Sequence, residues 1–338
     1  MRHIIIILMA VSAITYQQAA GQDPNFGQFF SSPLNMNPAL TGNINSDWRV
    51  ISNFRTQWIH PANPYITSTV SYDRKLFNNS YEFVAAGNRL SFGTMLMNDY
   101  AMAGIAKNSY ASMNLSYNAQ LSEGDIVNRI GAGFGAIYGR KYVDFNKLEF
   151  EEQFIGNGFA HYLPTGETAL SNMEPFLSLN GGLLFSRTTE KSNFDFGISA
   201  FHLNRPKQTF IEDPRQVIAM RKVVHANLEL LLNDHMVLNT NATYQRQSTA
   251  YYYSFGGSVG YFASNMPDIV LNAGLWYWSN NCFTPYVGFQ KDNFQIGLSY
   301  DATISKLRNA PRQTNSFELS LILRGTKPAS QTIPCPWK

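Results

Sequence analysis

Gly256-Gly257-Ser258-Val259-Gly260 has the Gly-x-Ser-x-Gly spacing of a nucleophile elbow, which lifts a serine onto a sharp turn between a strand and a helix. That chemistry needs a helix after the turn. Here the pentapeptide lies inside the tyrosine-rich stretch Tyr251–Phe262, which reads as one strand with no helix signal behind it. Small residues that let neighbouring chain pack closely account for it better. The six histidines show no metal-ligand spacing; His202 ends a strand and His225 and His235 flank a turn, so solvated or hydrogen-bonded rings are expected. No catalytic, cofactor-binding or metal-binding residue is assigned, and a non-enzymatic protein is expected. One aromatic pair stands out. In Asn272-Ala273-Gly274-Leu275-Trp276-Tyr277-Trp278 the alternation puts Leu271, Ala273 and Leu275 on one face and both tryptophans on the other.

The elements around these residues are strands. From Trp48 to Arg324 the chain divides into segments of about ten residues that alternate apolar and polar. Ala111–Gln120 is the clearest: Ala, Met, Leu, Tyr and Ala on one face, Ser, Asn, Ser, Asn and Gln on the other. Such a strand lies between an apolar medium and a wet one. The spacing predicts strands over Trp48–Trp58, Tyr65–Lys75, Asn88–Asn98, Ser109–Gln120, Asn128–Arg140, Glu174–Arg187, Asn193–Leu203, Lys222–Leu232, His235–Gln247, Tyr251–Phe262, Asp268–Ser279, Phe283–Gln290, Phe294–Ile304 and Asn315–Arg324. The expected fold class is all-β: a transmembrane outer-membrane β-barrel of about 14 antiparallel strands, over residues 48–325. A soluble β-sandwich alternates similarly, but the strand lengths and the aromatic residues Trp48, Trp58, Tyr65, Tyr72, Tyr100, Tyr117 and Tyr300 near strand ends favour the barrel.

Composition agrees. Charged residues make up 14% and aromatics another 14%, against roughly 25% charged in a soluble domain. A net charge of +3 gives no reason to expect nucleic acid. Arg2 and His3, the apolar run Ile4–Ile14 and the small residues Ala19-Ala20-Gly21 read as a cleaved signal peptide over residues 1–21. Cys282 and Cys335 fall in an outer turn and in an inner, periplasmic tail (residues 326–338), so no disulfide between them is expected.

Residues 22–47 follow neither period. Phe26, Phe29, Phe30, Leu34, Met36 and Leu40 are apolar, while Pro33 and Pro38 break helix and ladder. Fourteen strands enclose a space that their own side chains do not fill, so this segment is expected to plug the lumen or to dock at the periplasmic mouth. Asp73, Asp301 and Glu318 face the lumen and are expected to pair with Arg49, Arg55 or Arg324. A phospholipase-type barrel would carry Ser beside His on its lipid face, and no such pair is visible. Trp276 and Trp278, turned inward at the outer end of their strand, are candidates for contact with a partner or with the segment. Phe145, Phe150 and Phe154, in the long outer connection 141–173, are further candidates for partner binding.

Several stretches resemble the PorP/SprF family of type IX secretion system outer-membrane proteins of Bacteroidetes: Gln22–Phe30 with Ser32–Ala39 at the start, Asn53-Phe54-Arg55-Thr56-Gln57-Trp58 in the first strand, Phe196–Leu203 and Gly297–Asp301 later, and the tail Ile333-Pro334-Cys335-Pro336. The resemblance spans the mature chain in order. It implies an integral outer-membrane protein of the secretion and gliding machinery without catalytic residues. Its partners would be periplasmic ring or motor components, other outer-membrane components, or a secreted adhesin whose C-terminal domain carries a type B signal. A solute channel or fatty-acid-type transporter is the alternative reading.

Overall fold

A computed structural model describes residues 22–59, 63–76, 87–122, 124–167, 173–208, 216–263, 269–279, 281–306 and 314–325. The expected signal peptide and the C-terminal tail with Cys335 lie outside the described residues. Fourteen strands run in chain order: β1 (Trp48–Gln57), β2 (Tyr65–Leu76), β3 (Arg89–Ala101), β4 (Ala106–Gln120), β5 (Val127–Val143), β6 (Phe176–Thr188), β7 (Ser192–Phe201), β8 (Arg221–Asn233), β9 (Met236–Gln247), β10 (Ala250–Phe262), β11 (Ile269–Trp278), β12 (Cys282–Lys291), β13 (Phe294–Thr303) and β14 (Ser316–Arg324). Each pairs antiparallel with its sequence neighbours, and β14 pairs with β1, so the sheet closes into a barrel. Closure satisfies every strand edge, as a hydrocarbon surround demands.

Period-two alternation decides what each wall carries. On β2, Thr67, Thr69, Ser71 and Asp73 are buried toward the interior, while Val70 is 52% exposed on the outer wall. On β5, Ile130, Phe134 and Tyr138 are exposed, with Gly131, Gly135 and Gly139 inward. The interior is therefore polar and the exterior apolar, the reverse of a soluble protein. No described helix is long and apolar enough to cross a membrane.

The connections differ between the two ends. β5–β6 and β7–β8 are joined by long stretches at one end, the outer end of such barrels, whereas β4–β5, β6–β7, β8–β9 and β12–β13 are joined tightly at the other. Three strand boundaries run three residues beyond the expected ones, one of them the end of β5 at Val143. β3 continues to Ala101, and β4 begins at Ala106. This hairpin rises past the apolar band, where both faces are wet and alternation no longer marks a strand. Cys282 opens β12 instead of lying in a turn, and its side chain is buried. One gap interrupts the β12–β13 register, between Phe283↔Ala302 and Tyr286↔Ser299. Pro285 lacks an N–H there, and Thr284 Oγ1 donates instead to the Asp301 carboxylate at 2.7 Å.

Candidate functional site: the lumen and the segment within it

The lumen wall is lined by polar side chains that cannot close on one another across a fourteen-strand ring. Residues 22–47 occupy the space. Their hydrogen bonds reach β1, β4, β6, β7, β8, β10, β13 and β14, walls on opposite sides of the barrel, which only a segment inside it can do. The segment starts near the outer end, where Asp23 meets β8 and β9, and leaves at the other end, where Asp47 precedes β1 and its carbonyl accepts from the Lys75 backbone. It has no regular structure beyond single turns at Phe29–Ser31, Pro33–Met36 and Pro38–Leu40. Its backbone polar groups must therefore find partners on the wall.

Four clamps provide them. The first is charged. Arg55 lies 2.8 Å from Asp301 and 2.9 Å from Glu318, all three side chains almost wholly buried. The backbone amides of Gly27 and Gln28 both donate to Glu318, and Arg55 donates to the Asn25 carbonyl at 2.6 Å. The two wall carboxylates thus serve one guanidinium and two segment amides, charge-assisted bonds in a dry setting.

The second clamp holds the outer end. Asp23 meets Arg221 at 3.1 Å and His202 at 2.9 Å, and His202 Nδ1 lies 2.8 Å from Ser178 Oγ. Burial pushes the Asp23 carboxyl up, but Arg221 and His202 outweigh it and hold the group well below the usual carboxylate range. Ser178, His202 and Asp23 have the composition of a catalytic triad. In this set Ser178 has no exposed surface, and the carboxylate also pairs with Arg221. The set latches the chain to the wall.

The third clamp is aromatic. Phe30 lies over Trp276, centroids 4.6 Å apart, and edge-on to Tyr286 at 5.6 Å. Phe29 meets Trp278 at 6.5 Å, which itself stacks on Tyr252 at 4.8 Å. Tyr252 donates its hydroxyl to Asn25 at 2.6 Å.

The fourth clamp is Asn37, fully buried between β6, β7 and β8. Its amide donates to the carbonyls of Leu183 and Ile198 and lies 3.1 Å from His225 Nε2, while its oxygen accepts from Ala39. Room for it comes from glycine. A methyl group on Gly182 would collide with the Asn37 amide, and one on Gly133 with the Pro38–Ala39 backbone. Nearer the inner end, Arg49 grips Asp73 at 3.0 Å, and Asp73 accepts from the Gly42 amide at 2.8 Å.

The residues named from sequence divide into two groups. Phe26, Phe29, Phe30, Leu34, Met36 and Leu40 are all buried inside the barrel, and Trp276 and Trp278 are covered by the chain's own Phe30 and Phe29 instead of lying open to a partner. Phe145 and Phe150 are half-buried in the β5–β6 connection, and Phe154 is 53% exposed. The three loop phenylalanines therefore lie apart from the lumen set. The expected carboxylate pairings are present for Asp73, Asp301 and Glu318, whereas Arg324 donates to Gln295. His225 does not flank a turn as expected; it lies within β8, buried against Asn37. Asp23, Asn37, Tyr252 and Arg221 were not singled out from the sequence. The inward parity of Tyr252 and Arg221 was a usable signal, while Asp23 and Asn37 lie in a segment with no period to place them. Among the described residues no cluster of His, Cys, Asp and Glu could hold a metal ion.

Solved structures with the same architecture include a deltaS2S3 mutant of the monoaromatic hydrocarbon channel TodX, at 10% identity and a TM-score of 0.50 over 86% of this chain and 92% of that one. A Pseudomonas aeruginosa FadL homologue follows at 9% identity and 0.44, over 86% and 93%. At this identity the TodX likeness shows the fold alone: an outer-membrane β-barrel. No curated protein matches the chain in sequence. The family model for type IX secretion system membrane protein PorP/SprF matches residues 18–323. The chain belongs to the PorP/SprF family of type IX secretion system membrane proteins.

Proposed function

We propose that the protein is a non-enzymatic docking component of the type IX secretion system, a barrel closed by its own N-terminal segment that engages protein partners through its outer connections. The observation that carries this reading is the filled lumen. The cavities left beside the segment include one of about 40 Å³, lined by Phe29, Phe30, Met36, Asp195, His225 and Glu229, and one of about 10 Å³ beside Leu34 and Tyr110. The larger has room for only a few waters. A wall that holds its contents with buried ion pairs and aromatic packing supports a scaffold better than a diffusion channel.

The partner-facing surface would be the β5–β6 connection. Phe154 and Phe159 pair across a short bridge with rings 5.2 Å apart, and Gln153 ties the loop together by donating to the Leu163 carbonyl at 3.0 Å. Phe154, Ile155, Phe159 and Tyr162 are 53%, 55%, 39% and 84% exposed on this internally bonded loop. Ordered, exposed aromatics cluster at binding surfaces. A secreted surface protein would meet them from outside, while periplasmic ring components would meet the opposite turns. Purification of the tagged protein from its native outer membrane, with and without Phe154→Ser and Phe159→Ser, tests this. Loss of a stoichiometric protein from the variant alone is expected; the same proteins recovered with both would contradict the loop assignment.

A further inference from the structure

The outer wall carries an electrostatic conflict that the secretion role does not use. Lys222 on β8 and Arg246 on β9 are direct cross-strand partners. Both are exposed on the outer wall, since their neighbours Arg221, Val223, Gln245 and Gln247 are buried inward. Like charges placed opposite each other on one face of a sheet repel. The row offers no relief: Ala200 stands beyond Lys222 and Tyr251 beyond Arg246. The next row toward the barrel's middle is Ile198, Val224, Tyr244 and Tyr253. Among the described residues neither cation makes an ion pair. Among the described residues Arg246 Nε donates to the Ser248 carbonyl, at 3.4 Å.

Their height on the wall gives the conflict a meaning. Lys222 is the second residue of β8 and Arg246 the last but one of β9, so both lie at the outer end. Tyr244, Tyr251 and Tyr253, 41%, 63% and 42% exposed, surround the pair, and such tyrosines sit at headgroup level in membrane barrels. Arg140 provides the contrast. It also faces outward near the outer end, but its β4 partner is Ser109 and no second cation opposes it.

We propose that Lys222 and Arg246 form a binding site for the phosphate of an outer-leaflet lipid headgroup. Opposed side chains with Cβ atoms about 5 Å apart can bracket one phosphate. The planar guanidinium donates two parallel bonds and the ammonium acts as a point charge. The bound anion turns a repulsive pair into two attractive ones, and the tyrosine rings pack beside the sugar and upper acyl chain of a glycolipid.

The test uses the full chain in nonionic detergent, with native mass spectrometry reading retained lipid. Bisphosphorylated lipid A is the probe, and dephosphorylated lipid A and inorganic phosphate are the other arms. The wild type should retain lipid A and not its dephosphorylated form. Lys222→Gln with Arg246→Gln should lower retention by about tenfold or more, and Arg140→Gln should behave as wild type. Lys222→Glu guards against misfolding: it creates a cross-strand ion pair with Arg246, so the barrel should melt at or above the wild-type temperature and yet lose the lipid. Equal retention by wild type and the double variant, or by Lys222→Glu, would overturn the site. Displacement of lipid A by millimolar inorganic phosphate would show a free-anion site and overturn the lipid assignment.

Discussion

Residues 22–47 and residues 144–167 of the β5–β6 connection look alike as sequence. Both are rich in phenylalanine, neither keeps a helical or strand period, and both fold into short helical turns. Their fates are opposite. Phe26, Phe29 and Phe30 are 3%, 3% and 8% exposed, while Phe154 and Phe159 are 53% and 39% exposed. Apolar content alone therefore does not decide burial. What separates the two is the supply of wall groups to an irregular backbone: Glu318, Arg55, Arg221, Ser116 and Ser199 bond the main chain of the first segment. The loop bonds mainly to itself, as Gln153 to Leu163 shows. A segment without regular structure can be buried only where its surroundings replace the missing ladder.

That contrast is broken most severely at the charged clamp. Arg55→Ala leaves Asp301 and Glu318 buried without their cation and should cost about 3–5 kcal/mol, read by urea unfolding in detergent micelles. A loss under 1 kcal/mol would mean that water replaces the guanidinium and that the clamp is not dry. Next comes Asn37→Ala, which removes the donor to the carbonyls of Leu183 and Ile198 and the amide beside the buried His225 ring; a loss of about 1–3 kcal/mol is expected, together with faster proteolysis of the segment. Acid should loosen the outer latch. The Asp23 carboxyl is held below its ordinary value, so its contribution is complete above the ordinary value near 4 and is lost as pH falls through the depressed one. Protease protection of the outer end of the segment should thus decline as pH falls below about 4, and Asp23→Asn should remove that decline. The smallest effect belongs to the other side of the comparison: Phe154→Ser with Phe159→Ser should change barrel stability by no more than about 0.5 kcal/mol.

The same physics governs what could be read in advance. All fourteen strands were legible because each separates lipid from lumen along its length, and parity alone turned Trp276, Trp278, Asp73 and Glu318 inward. The upper β3–β4 hairpin escaped where both faces become wet. His225 falls inside the expected strand Lys222–Leu232, inward between the outward Val224 and Ala226, so parity contradicts a turn position there; its partner, Asn37, is remote in sequence and could not be read. Asp23 and Asn37 were invisible for a related reason. A polar residue in an aperiodic segment shows its role only when the wall that meets it is known.

Whether the N-terminal segment closes the barrel is read most directly from conductance. Full-length protein in planar bilayers should show no steady single-channel current, whereas a chain lacking residues 26–44 should conduct in well-defined steps. Steady current through the intact protein, unchanged by removing the segment, would contradict a closed lumen and return the chain to the channels whose fold it shares.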